Sequence, residues 1–296
     1  MKKYLLTGTV LILLLISCEK IFNNSSDDYF FKSDAGLEYK YSDCELYDSS
    51  THIIYLKTSH PQIITEKSSV FSVLANGKEI YQGAFWPSFS SSLPIGPYIS
   101  SFSSFYPDFT LRIEHMTFDD QPADPRNDPR IISALAAHGL LHSGLSAAIN
   151  SVDIAGTQLT FKFTVTNVDI TDLLIIDLEK TGPDLFHYFT NGLSIRNVSH
   201  EEVFSSQIQP ETPSPWNSWK SEWLSALKSG DSRQFTIIYS INAPLNPGEY
   251  TASFEFPGVS LGVTHDQLFQ SNGRIWIGDV SVNKKITVAS HNASIL

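Results

Sequence analysis

Residues 159–165, Leu-Thr-Phe-Lys-Phe-Thr-Val, alternate apolar and polar side chains without interruption. A similar period of two runs through residues 109–115, 235–241 and 250–256. Because successive side chains of a β-strand point to opposite faces of its sheet, this pattern predicts strands with one buried and one solvated face. Such strands are typical of antiparallel sheets, so the sequence predicts an all-β fold.

A turn signal in the first half agrees with this class. Asn76-Gly77 stands between residues 71–74, Phe-Ser-Val-Leu, and residues 79–81, Glu-Ile-Tyr. Both turn residues tolerate a positive φ, which the two-residue turns of hairpins require. The sequence therefore predicts a type I′ hairpin at this position.

The amino-acid composition excludes some classes of protein and some functions. Twenty Lys and Arg stand against 31 Asp and Glu, giving a formal net charge of -11 without a long basic run. Binding to a phosphate backbone needs clustered cations, so a nucleic-acid partner is excluded. Phe 19, Tyr 12 and Trp 5 supply enough apolar surface to fold the chain, which excludes a disordered protein.

The chain starts with the features of an export signal. Lys2 and Lys3 precede an apolar stretch at residues 5–16, which is shorter than the roughly 20 residues of a membrane-spanning helix. Residues 15–18, Leu-Ile-Ser-Cys, then resemble the lipobox of bacterial lipoproteins. The resemblance implies cleavage before Cys18, which would carry a diacylglyceryl thioether. The alternative is a short buried helix that ends in a cysteine.

The same resemblance implies a location. By analogy with Gram-negative lipoproteins, Glu19-Lys20 after the anchor indicates transport to the outer membrane rather than retention at the inner one. We therefore expect the membrane as one partner, through the lipid. The folded part would face either the periplasm or the exterior, and the sequence leaves this choice open.

Composition divides the chain into five parts. Residues 1–17 are the predicted signal peptide, and residues 18–35, rich in Asn, Ser and Asp, are a predicted flexible tether. Residues 36–118 form a predicted N-terminal β-sandwich. Residues 119–144 are a predicted linker, since their three prolines exclude a central strand. The linker contains a predicted short helix over residues 130–142, with Asp128 as N-cap and Pro129 at the first helical position. Residues 145–290 form a predicted C-terminal β-sandwich.

The second half carries an ordered series of strand and turn motifs. These are residues 164–167 (Thr-Val-Thr-Asn), 173–176 (Leu-Leu-Ile-Ile), 228–232 (Lys-Ser-Gly-Asp-Ser) and 245–250 (Leu-Asn-Pro-Gly-Glu-Tyr). The layout resembles the bacterial immunoglobulin-like domains over residues 146–289. The resemblance implies a sandwich with Tyr250 at a corner between the sheets. With the first half assigned from its strand content, we predict two Ig-like antiparallel β-sandwich domains with short connecting helices.

Residues 214–228 are the most distinctive segment for function. A Ser-Pro pair at their start favours a helix, one face of which would carry Trp216, Trp219 and Trp223. Because tryptophan is concentrated at binding sites, these three are the predicted ligand-binding residues. The alternative is a helix laid across an open end of the sandwich with its tryptophans buried.

The second candidate site in the sequence is a metal site. His138 and His142 are four residues apart, a spacing that suits one metal ion, and a group of aspartates precedes them: Asp119, Asp120, Asp124 and Asp128. However, no glutamate stands beside His138, and Gly139 weakens a helix between the histidines. Histidines at a helix C-terminus and a solvated acidic linker explain the pattern more simply. We predict no cofactor and no bound metal ion. The sequence alone does not decide whether His138, His142 and the aspartates before them bind a metal.

Three further segments have both a functional and a structural interpretation. Residues 258–262, Gly-Val-Ser-Leu-Gly, match a nucleophile elbow but lack the helix that should follow, which favours a surface loop. Residues 88–104 contain eight serines and are either an adaptable binding loop or a long connection. Cys44 lies in a strand-like segment, which predicts a packed and inert thiol.

These observations favour a non-enzymatic, lipid-anchored envelope protein that binds a glycan or an envelope protein. A rival from another class is a lipid-anchored hydrolase of envelope or dietary polymers, which would need paired carboxylates or a nucleophile and base that converge in a cleft. A third alternative is a proteinase-inhibitor-like or structural Ig module. The exposure of the three tryptophans discriminates best between binding and structural roles.

Overall fold

The computed structural model describes residues 28–61, 69–87, 90–92, 94–100, 106–116, 124–206 and 208–289. These residues fold as an all-β protein with few short helices. The strands of the first half are, in chain order, β1 (Tyr29–Ser33), β2 (Glu38–Lys40), β3 (Cys44–Asp48), β4 (Ile53–Leu56), β5 (Val70–Ala75), β6 (Lys78–Trp86), β7 (Gly96–Ser100), β8 (Thr110–Arg112), β9 (Glu114–Met116) and β10 (Leu141–His142). Helix α1 (Pro129–Ala137) precedes β10.

The first half consists of two sheets packed face to face. Their strand orders are β2-β1-β5-β6-β7-β9 and β10-β3-β4-β8. Phe30 of β1 meets Tyr47 of β3 edge-on, with ring centroids 6.0 Å apart, and this contact joins the two sheets. Most pairs are antiparallel, but β7 runs parallel to β6 and β10 parallel to β3. Both sheets of this half are therefore mixed, with one parallel pair each among antiparallel pairs.

The predicted tether, residues 18–35, extends too far into the folded part. Tyr29–Ser33 forms β1, which pairs with both β2 and β5. Phe30 and Phe31 are both buried, and Phe31 stacks on Phe71 with centroids 5.2 Å apart. Two adjacent buried aromatics do not alternate with polar residues, so the period of two gave no signal for this strand. The core accordingly begins before Gly36.

Local signals for the hairpin and for helix α1 are confirmed. Asn76 and Gly77 have φ values of 51° and 73°, as a type I′ turn requires. The Asp128 side chain caps α1 by accepting the Arg130 N–H at 2.9 Å, and Pro129 stands at its first position. The helix is shorter than the predicted 130–142 because Gly139, at φ 70°, ends it and the chain continues into β10.

The second half contains three sheets. Its elements are β11 (Leu145–Ala155), β12 (Gln158–Asn167), β13 (Leu173–Ile176), α2 (Leu178–Phe189), β14 (Ser194–Asn197), β15 (Glu202–Ser205), β16 (Leu224–Leu227), β17 (Ser232–Ser240), β18 (Gly248–Pro257), α3 (His265–Leu268), β19 (Phe269–Gln270), β20 (Gly273–Ile275) and β21 (Asp279–Val288). The strand orders are β11-β12-β17, β16-β13-β20-β19 and β15-β14-β18-β21.

The sheets that contain β12 and β18 form a sandwich like that of immunoglobulin domains. Phe161 and Phe163 of β12 face Phe254 of β18, with centroids 4.9 and 4.5 Å away. At the start of β18, the buried Tyr250 donates its hydroxyl to the Asn246 carbonyl oxygen at 2.7 Å. This is the expected tyrosine corner, and it confirms the prediction made from the Asn-Pro-Gly turn.

The two halves share a seam. Leu46, Ile53, Tyr55 and Phe109 of the first half are part of the core of the second. At this seam the buried guanidinium of Arg274 donates to Asp48 at 2.9 Å and to Asp169 at 3.1 Å. An arginine buried this fully needs such partners, because burying an unpaired charge is costly.

Candidate functional site

The segment with three tryptophans does not form the predicted helix. Only Ser221–Trp223 makes a 3-10 turn, and Leu224–Leu227 is strand β16. This strand pairs antiparallel with β13, for example Leu224 with Ile176. A helix would satisfy the backbone groups within the segment itself, whereas here their partner lies about fifty residues earlier in the sequence. The spacing of the tryptophans carries no information on such a partner.

Because the helix is absent, the three tryptophans do not share a face. Trp223 is 9% exposed, and its ring centroid lies 6.1 Å from that of Phe189. Trp219 is half-buried, and its Nε1 donates to the Gly262 carbonyl oxygen at 3.1 Å. Trp216 is 54% exposed. Trp223 is therefore buried, whereas the indole of Trp216 is accessible to a ligand.

The backbone below Trp216 is fixed although its indole is open. The Tyr188 hydroxyl, from α2, donates to the Trp216 carbonyl oxygen at 2.7 Å. Gly262 has a φ of 72°, and a Cβ there would lie 2.4 Å from the Asn217 carbonyl oxygen, so only glycine fits this approach. We call the exposed parts of Tyr188, Trp216 and Trp219 the tryptophan surface.

Helix α2 is the element that sequence reasoning missed here. Its last turn contributes Tyr188 and Phe189, whose ring centroids are 5.2 Å apart. Phe189 then contacts Trp223, which connects the helix to the tryptophan segment. No local pattern pairs these residues, because their contact depends on the path of the chain across the end of α2.

The two histidines of the predicted metal pattern face different partners. His138 stacks on Tyr41, with centroids 4.0 Å apart and planes 6° from parallel. His142 donates from Nδ1 to Asp169 at 2.8 Å in the seam. Asp128 is engaged with Arg130. In the described ranges, no group of three or more metal-type ligands occurs.

The structure also shows the surroundings of most other candidate segments. Asp124 binds Arg126, while Asp119 and Asp120 lie outside the described residues. Residues 258–262 connect β18 to a loop before α3, so the described backbone lacks the strand-to-helix elbow of a hydrolase. Within residues 88–104, Gly96–Ser100 is strand β7, which pairs with β6 and β9 rather than forming an open loop.

Grooves of about 430, 560 and 570 Å³ border strands β14 and β15. Arg196 lines the two larger grooves. His187 lines the 560 Å³ groove, where its ring nitrogens meet the Pro183 carbonyl at 2.6 Å and the Tyr239 hydroxyl at 3.0 Å. Burial lowers the pKa of His187. Sequence reasoning did not single out these residues.

Comparison with known proteins identifies no relative: no family model matches the chain, and no curated protein matches it. No helix in the part of the chain that the structure describes is long and apolar enough to cross a membrane. Cys18 and the signal segment 1–17 lie outside the described residues. Proposals about function therefore depend on the sequence and on the geometry of these surfaces.

Proposed function

We propose that the chain is a non-enzymatic, lipid-anchored protein of the bacterial cell envelope that binds a glycan through the tryptophan surface. The observation that carries the proposal is Trp216, whose indole is open to solvent while its backbone is held by Tyr188. Exposing so large an apolar ring gives no benefit to the fold of this chain. A partner that covers the ring would gain the apolar contact without having to order the loop.

The residues around Trp216 favour a glycan. Ser214, Asn217 and Ser218 are close to it in the sequence and supply hydroxyl and amide groups of the kind that exchange hydrogen bonds with sugar hydroxyls. An indole offers a flat apolar face next to these polar groups. An envelope protein is the second candidate, because an exposed tryptophan on a fixed loop also suits a protein hot spot.

The anchor supports the location. The basic start, the apolar residues 5–16 and the lipobox-like residues 15–18 indicate lipidation at Cys18, and the polar residue after Cys18 favours the outer membrane. Acyl chains contribute about 0.8 kcal/mol for each buried methylene, so two or more chains hold the protein firmly at the bilayer. The body would then meet envelope glycans on either the periplasmic or the outer face.

The anchor is tested with Cys18→Ala in the native host. We expect the variant to be soluble or unprocessed, since the thiol that receives the lipid is gone. Membrane fractionation and mass spectrometry of the N-terminal peptide measure this. Membrane-retained protein with an acylated N-terminal peptide in Cys18→Ala would contradict the assignment.

The binding surface is tested with Trp216→Ala, with Trp223→Ala as the matched control. Trp216→Ala should keep the free energy of unfolding within about 0.5 kcal/mol of the wild type, as for other surface substitutions. Trp223→Ala should lose about 3 to 5 kcal/mol, because its ring is buried. Only the first variant should lose binding to isolated outer-membrane glycans while it remains folded, measured by fluorescence titration.

Two outcomes separate the candidates. Unchanged glycan binding by a folded Trp216→Ala would refute the role of the tryptophan surface. If the wild type binds no glycan but a purified envelope protein binds it and fails to bind Trp216→Ala, the partner is a protein instead.

A further inference from the structure

The outward face of the sheet β15-β14-β18-β21 carries the groove of about 570 Å³. Its floor follows a single cross-strand row, in which Arg196 pairs with Thr251 and Thr251 pairs with Lys285. Paired residues share a face of the sheet, so these three side chains point the same way. Two strand spacings separate Arg196 from Lys285, which is roughly 10 Å.

Hydroxyl and amide groups surround these two cations. The neighbouring row places Ser253 opposite Asn283, and Thr287 lies two residues beyond Lys285 on β21. Each of these groups both donates and accepts hydrogen bonds. Besides the imidazole of His200, the one aromatic ring in the lining is that of Tyr250, which is buried in the corner.

Neither cation of this groove forms an ion pair within the described residues, although Glu202 lies opposite Arg196 across β14 and β15. Five of the six arginines form ion pairs with aspartates: Arg112, Arg126, Arg130, Arg233 and Arg274. Arg196 is the exception, since neither it nor Lys285 has an ion-pair partner among the described residues. The lining contains a single carboxylate, that of Glu249. In a chain with a net charge of -11, a local excess of cations is unusual.

The backbone next to the groove is irregular, because strand β15, which pairs with β14, contains a bulge. Ile195 pairs with Phe204 but Arg196 pairs with Glu202, so Val203 is an extra residue in β15. Such bulges bend an edge strand and re-aim neighbouring side chains, and they are frequent beside functional sites. The adjoining turn is fixed by Asn197, whose Oδ1 accepts the N–H groups of Ser199 and Glu201 at 2.9 and 3.0 Å.

We infer that this groove binds an acidic glycan, with Arg196 and Lys285 each holding an anionic group and the intervening hydroxyl and amide side chains holding sugar hydroxyls. Charge complementarity selects the ligand, because the lining holds two cations without a described ion pair and only one carboxylate, that of Glu249. Two cations are too few for a nucleic-acid backbone, which is bound by many more phosphate contacts. The groove shares no residue with the tryptophan surface, so the inference does not depend on the proposed function.

The test is isothermal titration of the full chain in detergent with oligogalacturonate, dextran sulfate and neutral dextran. We expect binding to at least one of the acidic glycans, none to dextran, and weaker binding at higher salt. Arg196→Gln and Lys285→Gln should each weaken binding about tenfold or more, since each removes a charge-assisted hydrogen bond. The acidic glycan that binds shows whether carboxylate or sulfate is preferred.

Lys78→Gln is the matched control, because Lys78 is an exposed lysine of β6 in the first half that also lacks a described ion-pair partner. It should bind as the wild type does, and all variants should keep the wild-type melting temperature. Three results would overturn the inference: equal binding of dextran, unchanged binding by both groove variants, or equal weakening in Lys78→Gln. Trp216→Ala should leave this binding intact, so failure of either proposal is distinguishable from failure of the other.

Discussion

Arg274 at the seam and Arg196 on the outward sheet face are chemically identical and have opposite surroundings. Arg274 is buried and donates to two aspartates, Asp48 and Asp169. Arg196 is exposed and has no ion pair within the described ranges. A buried arginine with fixed partners therefore contributes to structure, whereas an arginine without an ion pair on the surface leaves its donors free for a ligand.

Other contacts at the seam share this structural role. Arg112 of β8 donates from Nη2 to Asp279 of β21 at 2.7 Å, and the ring of Phe109 meets that of His265 with centroids 5.2 Å apart. Gly278 has a φ of 102°, and a Cβ there would lie 2.9 Å from Thr51. These contacts join the two halves in one orientation.

The strongest test of the comparison is Arg274→Gln beside Arg196→Gln. Arg274→Gln leaves two buried carboxylates without their cation, and we expect a loss of about 3 to 5 kcal/mol in the free energy of unfolding. Arg196→Gln should change it by less than about 0.5 kcal/mol. Urea denaturation measures both. Equal midpoints for the two variants would show that the ion pairs of Arg274 do not stabilise the fold.

Acid should weaken the seam before it affects the outward face. Burial raises the pKa of Asp169, but the His142 hydrogen bond and the charge of Arg274 outweigh burial and hold the pKa well below its ordinary value. A carboxyl with a lower pKa in the folded state stabilises the fold above its unfolded pKa of about 3.9 and loses that contribution as the pH falls through the folded pKa.

We therefore expect a loss of about 1 to 2 kcal/mol from this carboxyl as the pH falls below about 4. Unfolding titrations between pH 7 and pH 2 measure it, with Asp169→Asn as the control that should show a shallower acid dependence. Identical pH profiles for the wild type and Asp169→Asn would show that the pairing does not stabilise the fold.

A smaller loss than at the seam is expected for an uncharged hydrogen bond next to the groove. Tyr250→Phe removes the bond to the Asn246 carbonyl and keeps the ring, so we expect a loss of about 1 kcal/mol. The urea midpoint measures this change. A midpoint equal to that of the wild type would mean that the corner is held by packing of the ring alone.

Local chemistry explains which features the sequence predicted. The Asn76-Gly77 hairpin, the Asp128 cap and the Tyr250 corner each depend on residues within a few positions of one another. The alternation of residues 159–165 likewise reports its own burial, since Leu159, Phe161, Phe163 and Val165 are all buried. Where the interacting residues lie in the same short stretch of sequence, that stretch is enough to predict the local structure.

Long-range pairing explains what the sequence did not predict. Asp48, Asp169 and Arg274 meet although 226 residues separate Asp48 from Arg274. The tryptophan segment follows the edge of β13 instead of its own helical period. Arg196 has no motif around it, and only the register of β14 against β18 and β21 shows that it shares a face with Lys285.

Cys44, in β3, gives this protein a built-in reporter of its own opening. The thiol is buried, and burial raises its pKa to about 12, so a thiol reagent cannot attack it in the closed fold. In the Cys18→Ala chain it is the only cysteine. The rate at which it reacts then counts how often the first half opens, without an added probe. Comparing that rate with and without glycan would show whether a glycan bound to the second half makes the first half open less often.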